Sequence, residues 1–341
     1  MMKMTVLASG SRGNSTLVST GRTCILVDAG LSCRELLNRM RAAGEDPGAL
    51  SAILVSHEHL DHINGLAVLA RKLRIPVYFT EPTHRAWARM MTPRSSMTYA
   101  QWIESRRVEN EASQLSSQEA AMPDLTEASL ELPAEDTTLC DNPPAADTRD
   151  SKDLGDLKQN IDMKADEPER RPPTHLPAVE YFRAGSPFCI GDIAITPFTI
   201  PHDAADPVGF VFEAGGIRMA IATDLGYMPP NVRMALRRCD VLMIESNHDL
   251  EMLRDGPYPW SVKQRVLSRV GHLSNNATAE FLSGEYDGTA SYVVLAHLSE
   301  RNNLPELAKV SAELALVGRM NLLANRIVLA RQDAPLDPIC I

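Results

Sequence analysis

Short apolar runs parted by turn residues dominate the first quarter of the chain. Met4–Ala8, Thr16–Ser19 and Cys24–Val27 carry β-branched residues and are separated by glycine-containing turns, so each reads as a strand. Ser32-Cys33-Arg34-Glu35 has capping-box spacing, Leu36, Leu37 and Met40 follow, and Gly44 stops the helix. Ala52–Val55 reads as a buried strand, Ile63–Leu73 as a helix and Pro76–Thr80 as a strand. Later, Ala194–Ile200, Val208–Glu213 and Arg218–Ala222 alternate as strands. Asn231–Arg238 is helical and Val241–Glu245 is a strand. Helices follow near Ser261–Val270 and Ala277–Leu282. Tyr292–Ala296, a helix over Pro305–Leu316 and Arg326–Ala330 close the pattern. Strands crowd the early part and helices alternate later. That order predicts an α/β chain, more specifically an α+β sandwich with its sheets inside and its helices outside. No repeat of fixed period is present.

Composition changes the picture in one region. The 341 residues carry a formal charge of −10. Glu104–Arg171 alone holds 18 acidic and 8 basic residues, which leaves the remainder neutral. Repeated prolines, few β-branched or aromatic residues and one-sided charge give this stretch little apolar surface to offset the entropy of ordering. It is expected to be a disordered or weakly helical insertion, the alternative being an independent acidic domain. The net charge argues against a surface that binds nucleic acid everywhere. A local patch from Arg85, Arg89, Arg233, Arg237, Arg238, Lys263, Arg265 and Arg269 stays open. Six scattered cysteines without a C-x-x-C pair point away from a disulfide scaffold or a cysteine zinc ribbon. The Met4–Ala8 run is too short for a signal-peptide core, and no apolar run of about 18 residues occurs. A reduced cytoplasmic chain without membrane attachment is therefore expected.

The chemistry concentrates in His57-Glu58-His59-Leu60-Asp61-His62, directly after the apolar strand Ala52–Val55. Three of the nine histidines fall within these six positions. Burying so many polar side chains without partners would be costly. On a tight loop they can converge, with His57 and His59 on one ion and Asp61 and His62 on a second. Imidazoles and a carboxylate suit zinc or another first-row divalent ion.

H-x-H-x-D-H after a buried strand resembles the metallo-β-lactamase fold superfamily. His202, in Ile200-Pro201-His202-Asp203, looks like its next histidine. Asp224, in Ala222-Thr223-Asp224-Leu225-Gly226, looks like its bridging aspartate, and His297, in Leu295-Ala296-His297-Leu298-Ser299, like its final histidine. Asp28, in Leu26-Val27-Asp28-Ala29-Gly30, matches an aspartate that supports the metal loop. The resemblance implies an αββα fold and two divalent ions, zinc or manganese. His57, His59 and His202 would hold the first ion, and Asp61, His62 and His297 the second, with Asp224 shared. Narrower motifs are similar to the WalJ/YycJ-type branch, described as metal-dependent exonucleases related in fold to ribonuclease Z. They are Ser9-Gly10-Ser11-Arg12-Gly13-Asn14-Ser15, the segment from His202 to Gly209, Glu245-Ser246-Asn247-His248-Asp249, Gly256–Trp260, Gly271-His272-Leu273-Ser274-Asn275 and His297–Glu300. This resemblance spans residues 3–94 and 178–335. It implies a discontinuous hydrolase domain of residues 1–94 and 178–341, interrupted by an insertion at 95–177 longer than such relatives usually carry.

Phosphodiester hydrolysis needs an activated water, neutralisation of charge on the phosphoryl oxygens and a proton for the leaving oxygen. Two nearby metals can meet the first two needs, with Asp61 placed to orient or deprotonate the water. His272 is the candidate proton donor and Glu245 the carboxylate that fixes its ring, a pairing that resembles ribonuclease Z-like enzymes. The alternative for His272 is helix capping. His248 either touches substrate or hydrogen-bonds its turn. Ser9, Ser11 and Asn14 lie in a glycine-rich turn whose amides could meet a phosphate. Tyr258 and Trp260 either stack on bases or pack. The reading is a metal-dependent phosphodiester hydrolase, a nuclease of 5'-3' exonuclease type acting on DNA or RNA. One alternative is a small-molecule phosphodiesterase or thioesterase on the same scaffold. The other is a metal-stabilised binding or signalling protein without turnover, against which the complete ligand set stands.

Overall fold

Side chains alternate across the strands, and this alternation sorts the apolar residues into three layers. The strands are β1 (Lys3–Ala8), β2 (Ser15–Ser19), β3 (Cys24–Val27), β4 (Ala52–Leu54), β5 (Val77–Phe79), β6 (Val179–Tyr181) and β7 (Phe188–Ile190). They continue with β8 (Ile193–Thr199), β9 (Val208–Ala214), β10 (Ile217–Ala222), β11 (Val241–Glu245), β12 (Tyr292–Ala296), β13 (Arg326–Leu329) and β14 (Ile339–Cys340). In β3, Ile25 and Val27 face the same core as Val241 and Met243 of β11 and Val294 and Ala296 of β12. The alternate residues face outward to helices: Leu26, Ile53 and Val55 on one side, and Leu242, Ile244, Val293 and Leu295 on the other. Strands buried on both faces read as continuous apolar runs, as these do.

The structure is a computed structural model that describes residues 1–92, 174–317 and 326–341. They fall in one of two compact units of the chain, Met1–Thr92 with Arg171–Ile341. The expected acidic insertion lies outside the described residues up to position 173, and Leu176 is already buried in a core. Two seven-stranded sheets are present among the described residues, ordered β14-β1-β2-β3-β4-β5-β6 and β13-β12-β11-β10-β9-β8-β7. Each is antiparallel in one half and parallel in the other: β3 to β6 run parallel, as do β10 to β13. The apolar layer between the sheets, with helices outside both, is the expected αββα sandwich. No helix of the described residues is long and apolar enough to cross a membrane.

The helices are α1 (Cys33–Ala42), α2 (Leu60–Ile63), α3 (Leu66–Leu73), α4 (Glu81–Met91), α5 (Pro230–Ala235), α6 (Leu250–Asp255), α7 (Trp260–Val266), α8 (Asn275–Gly284) and α9 (Pro305–Leu316). Ser32 caps α1 by accepting the Glu35 N–H, while the Glu35 side chain pairs with Arg39 instead of closing the capping box. The single helix expected over Ile63–Leu73 is divided into α2 and α3. Gly65 between them donates its N–H to the Ala29 carbonyl, tying this corner to the loop after β3. The helix expected over Asn231–Arg238 stops at Ala235, and Arg238 takes a left-handed φ of 56°. The helix expected over Ser261–Val270 ends at Val266, where a turn closed by Gly271 N–H on Ser268 leads into the site.

Candidate metal centre

The candidate ligands leave the sandwich at one edge, past the C-terminal ends of β3, β4, β8, β10, β11 and β12. Open α/β sheets place ligands at this end of their strands. Three of the residues there, Asp28, Asp224 and His297, have positive φ values of 60°, 62° and 56°. Such backbone is uncommon for residues other than glycine and clusters at functional sites. Each turns the chain abruptly out of its strand.

Asp28 organises the first loop. Its carboxylate accepts the Ser56 N–H at 2.8 Å, the Ser56 hydroxyl at 2.7 Å and the His62 Nδ1–H at 2.8 Å. The backbone is knotted to the glycine-rich turn after β1: Asn14 N–H donates to the Asp61 carbonyl at 2.7 Å, and Gly30 N–H to the Asn14 carbonyl at 2.9 Å. Gly30 must lack a side chain, because an added Cβ would overlap the Asp61 carbonyl.

The side chains gather in sets. His57, His59 and His202 form one, Asp61, His62 and His297 another, and Asp224 groups with His57 and His62; within each the candidate ligand atoms lie within 4.8 Å of one another. Asp224 stands 3.5 Å from His62 Nε2, 3.9 Å from His202 Nε2 and 3.5 Å from His297 Nδ1. It therefore touches both sets. Asp61 Oδ2 lies 3.5 Å from His62 Nε2 and 3.6 Å from His297 Nε2.

These residues fit metal ions. His57 Nε2, Asp224 Oδ2 and His297 Nε2 are buried without a hydrogen-bond partner among the described residues, which buried polar atoms rarely are. Electrostatics agrees. Burial, helped by His62, His202 and His59, pushes His57 well below the usual imidazole range, so it is a neutral ring with one nitrogen lone pair to offer. Burial opposes charge on His62 and His297 as well, yet the facing carboxylates, Asp224 first, raise both well above that range. Carboxylates that make these rings hold a proton can equally hold a cation in its place.

Beside the sets stands a second pair. Glu245 Oε1 accepts from His272 Nδ1 at 2.8 Å and His297 Nδ1 at 2.9 Å. Its Oε2 accepts the Leu225 and Leu273 N–H groups at 2.6 and 3.2 Å. Burial raises this carboxyl, but the His272 charge and the two imidazole hydrogen bonds outweigh it and hold it below its usual range. His272 Nδ1 is 3.9 Å from Asp224 Oδ1. The cap of α8 is Ser274, which accepts the Ala277 N–H, so His272 is not a capping residue.

Other expected residues take different positions. Ser9 Oγ accepts the His297 N–H at 2.8 Å, and Asn14 Nδ2 lies 3.1 Å from Asp61 Oδ2 and 3.0 Å from His62 Nε2. Both side chains thus support candidate ligands, and the Ser9 and Asn14 backbone N–H groups donate to the Arg331 and Asp61 carbonyls. Ser11 is exposed at the turn. His248 is buried, with its carbonyl accepting the Asn275 N–H and its Nδ1 3.4 Å from Asn247 Oδ1, so its ring presents no surface to a substrate. Burial takes that ring down to about 4. Three residues were not anticipated. Ser56 lies 3.0 Å from His57 Nδ1, and Asn247 donates to the His297 carbonyl at 2.8 Å. Asp203 places Oδ1 3.4 Å from His202 Nε2 and 3.9 Å from His59 Nε2, and Oδ2 2.5 Å from Arg265 Nε. In the sequence Ser56 adjoins His57, while Asp203 and Asn247 fall inside the motifs around His202 and Glu245 without a signal of their own.

A model of the metallo-beta-lactamase superfamily matches residues 8–123, and one of the beta-lactamase superfamily domain matches residues 151–298. The crystal structure of the metallo-beta-lactamase fold protein YhfI from Bacillus subtilis superposes with a TM-score of 0.56 at 12% identity, covering 98% of this chain and 99% of that one, and so shares the fold. The chain belongs to the metallo-beta-lactamase superfamily. It is 31% identical over 315 residues to exodeoxyribonuclease YycJ of Bacillus anthracis, spanning 92% of this chain and 89% of that protein. Against exodeoxyribonuclease WalJ of Streptococcus pneumoniae serotype 2, identity is 31% over 309 residues, 91% and 86% of the two chains. Within the superfamily it stands in the YycJ/WalJ-type branch.

Proposed function

We propose that this chain is a metal-dependent phosphodiester hydrolase, an exodeoxyribonuclease that removes nucleotides from the 5' end of DNA. The observation that carries the reading is Asp224, within reach of both ligand sets, with the Glu245–His272 pair beside it. The names of the relatives, both exodeoxyribonucleases, support DNA as the substrate. In this reading His57, His59 and His202 hold one divalent ion, Asp61, His62 and His297 a second, and Asp224 serves both; zinc and manganese suit such donors. When bound, the ions supply an activated water and neutralise charge on the phosphate.

The chain's own groups do the rest. Asp61 orients the attacking water. Burial would protonate it, but the His62 charge and the hydrogen bonds from His297 and His62 hold its carboxyl well below the usual range, so it is an acceptor at neutral pH. His272 Nδ1–H donates to the Glu245 carboxylate, which leaves Nε2 to deliver a proton to the leaving oxygen. Ser9, Asn14 and Asp28 keep His297, Asp61 and His62 in place.

The test is turnover of single- and double-stranded DNA and RNA, labelled at either end, by chelated protein resupplied with Mn²⁺, Zn²⁺ or Mg²⁺. Mononucleotides released in order from the 5' end of DNA are expected. Inert nucleic acid alongside hydrolysis of a small phosphodiester or thioester would replace this reading with a small-molecule esterase.

A further inference from the structure

Helix α9 carries two apolar stripes, where a surface helix needs one. Ala308, Ala312 and Leu316 are buried and hold it on the sandwich beside β13. Leu307, Val310 and Leu314, with Leu304 and Val317 at the two caps, form the other stripe. These five side chains are 40–70% exposed, so no described residue covers them. At about 100° per residue this second stripe points away from the core. Exposed aliphatic residues are ordinary when scattered, but five aligned on one short helix form a patch of the kind that marks an interaction site.

The charges of α9 sit together on one flank. They are Glu306, Lys309 and Glu313, with Lys309 Nζ 3.7 Å from Glu313 Oε1. A membrane surface selects a polar face rich in Lys and Arg, and nucleic acid selects cations. Two carboxylates and one amine suit neither, which leaves the stripe to a protein. Its spacing points to a second copy of this chain. Leu304 and Val317 lie equally far from the midpoint between positions 310 and 311, and so do Leu307 and Leu314. A two-fold axis at that midpoint sets Leu304 against Val317, Leu307 against Leu314, and Val310 against Val310 of the second copy. A closed two-fold contact requires this self-complementarity. From Leu307 to Val317 the apolar steps are three, four and three residues, the spacing at which the side chains of two helices interlock.

A groove of about 600 Å³ opens at the N-terminal end of the stripe, with Leu298, Leu304, Pro305 and Leu329 in its walls. The same axis brings Leu314 and Val317 of the second copy, the most exposed of the five, to this groove. The five side chains expose on the order of 450 Å² per chain. Two copies with their groove rims therefore bury about 1,000 Å², the size at which specific interfaces begin. The groove also reaches Ser9, whose hydroxyl accepts the His297 N–H, so the contact ends beside the metal centre without using any candidate ligand.

We infer that α9 is the contact face of a homodimer, in which two copies of this chain pack antiparallel across a two-fold axis at Val310. The inference is independent of the nuclease reading.

The test is sedimentation velocity of the full chain across micromolar concentrations, native and with Leu307→Glu plus Leu314→Glu. The native protein is expected to be a dimer. The double variant is expected to be monomeric, its association weakened by about 100-fold or more, since each buried carboxylate costs over a factor of ten. Far-UV circular dichroism should stay native, because both side chains are exposed in the single chain. Met234→Glu, an equally exposed apolar side chain on α5, should remain dimeric. The thermal midpoint should rise with protein concentration in the native chain and not in the double variant. Cysteine cross-linking reads the same contact without a charged substitution. On oxidation Val310→Cys should join to its own copy, whereas Leu304→Cys, set against Val317, should not; the native chain oxidised alongside controls for its own six cysteines. A native chain that stays monomeric, or a dimer that survives the double substitution, would overturn the inference. So would equal dissociation by Met234→Glu, no cross-link through Val310→Cys, or one as strong through Leu304→Cys.

Discussion

One oxygen of Glu245 receives two imidazoles, His272 and His297, and this sharing separates two kinds of defect. His272→Ala should slow the chemical step by about 10²–10⁴-fold, the usual range for a lost general acid, with metal content unchanged. Loss of metal would make His272 a ligand, and unaltered turnover would take it out of the reaction. Glu245→Gln should slow turnover and also weaken metal retention, because His297 loses its carboxylate; metal analysis of the two variants side by side distinguishes the roles. At this scale the sequence was most legible where chemistry clusters along the chain, as in His57 to His62. His202, Asp224 and His297 were legible through their place after apolar strands and through the family resemblance. Ser56, Asn247 and Asp203 were not. They act through contacts between loops distant in sequence, and Ser, Asn and Asp occur in any loop.

The strands that bury both faces left the clearest record. β3, β11, β12 and the helix α9 match the sequence reading residue for residue. The edge strands β6, β7 and β14 went unread, because two or three residues show no period. Thiol labelling tests this layout. Burial, with Glu45 adding to it, pushes the Cys24 thiol up to about 12, and burial pushes Cys239 up to about 12. At pH 8 both should resist iodoacetamide in the native protein, while Cys189 on β7 and Cys340 on β14 react. Mass spectrometry reads the outcome, and labelling of Cys24 or Cys239 before the exposed pair would contradict the layering. Thiols that keep their protons in the folded state contribute nothing to pH dependence well below the ordinary value of 9.0, and stability falls as pH climbs from there toward 12. Gly30→Ala tests the join between the glycine-rich turn after β1 and the loop after β4. Its Cβ would force the Asp61 loop off the Asn14 turn, at a cost of about 1–3 kcal/mol by ordinary overpacking. Thermal denaturation should show that loss, together with weakened metal binding; a variant of native stability and metal content would place the knot elsewhere.

Across the whole molecule, two sheets of mirrored strand order bring the loops after β3, β4, β8, β10, β11 and β12 to one edge, and Asp224 is the side chain at which the two ligand sets meet. The sandwich and its ligand edge were foreseeable from the order of apolar runs and the polar residues that follow them. The pairing of edge strands, the break between α2 and α3 and the supporting network were not, since each depends on contacts the chain makes only once folded. The acidic stretch of residues 104–171 accounts for the net charge, so the rest of the chain confronts a polyanion with local patches and not with overall attraction. The central claim is a two-ion centre joined through one carboxylate, and its most direct measurement is metal stoichiometry with DNA turnover on native protein and Asp224→Ala. About two divalent ions per chain are expected in the native protein, with both ions depleted and turnover abolished in the variant. A variant that keeps one ion at full occupancy and cuts DNA at the native rate would contradict it.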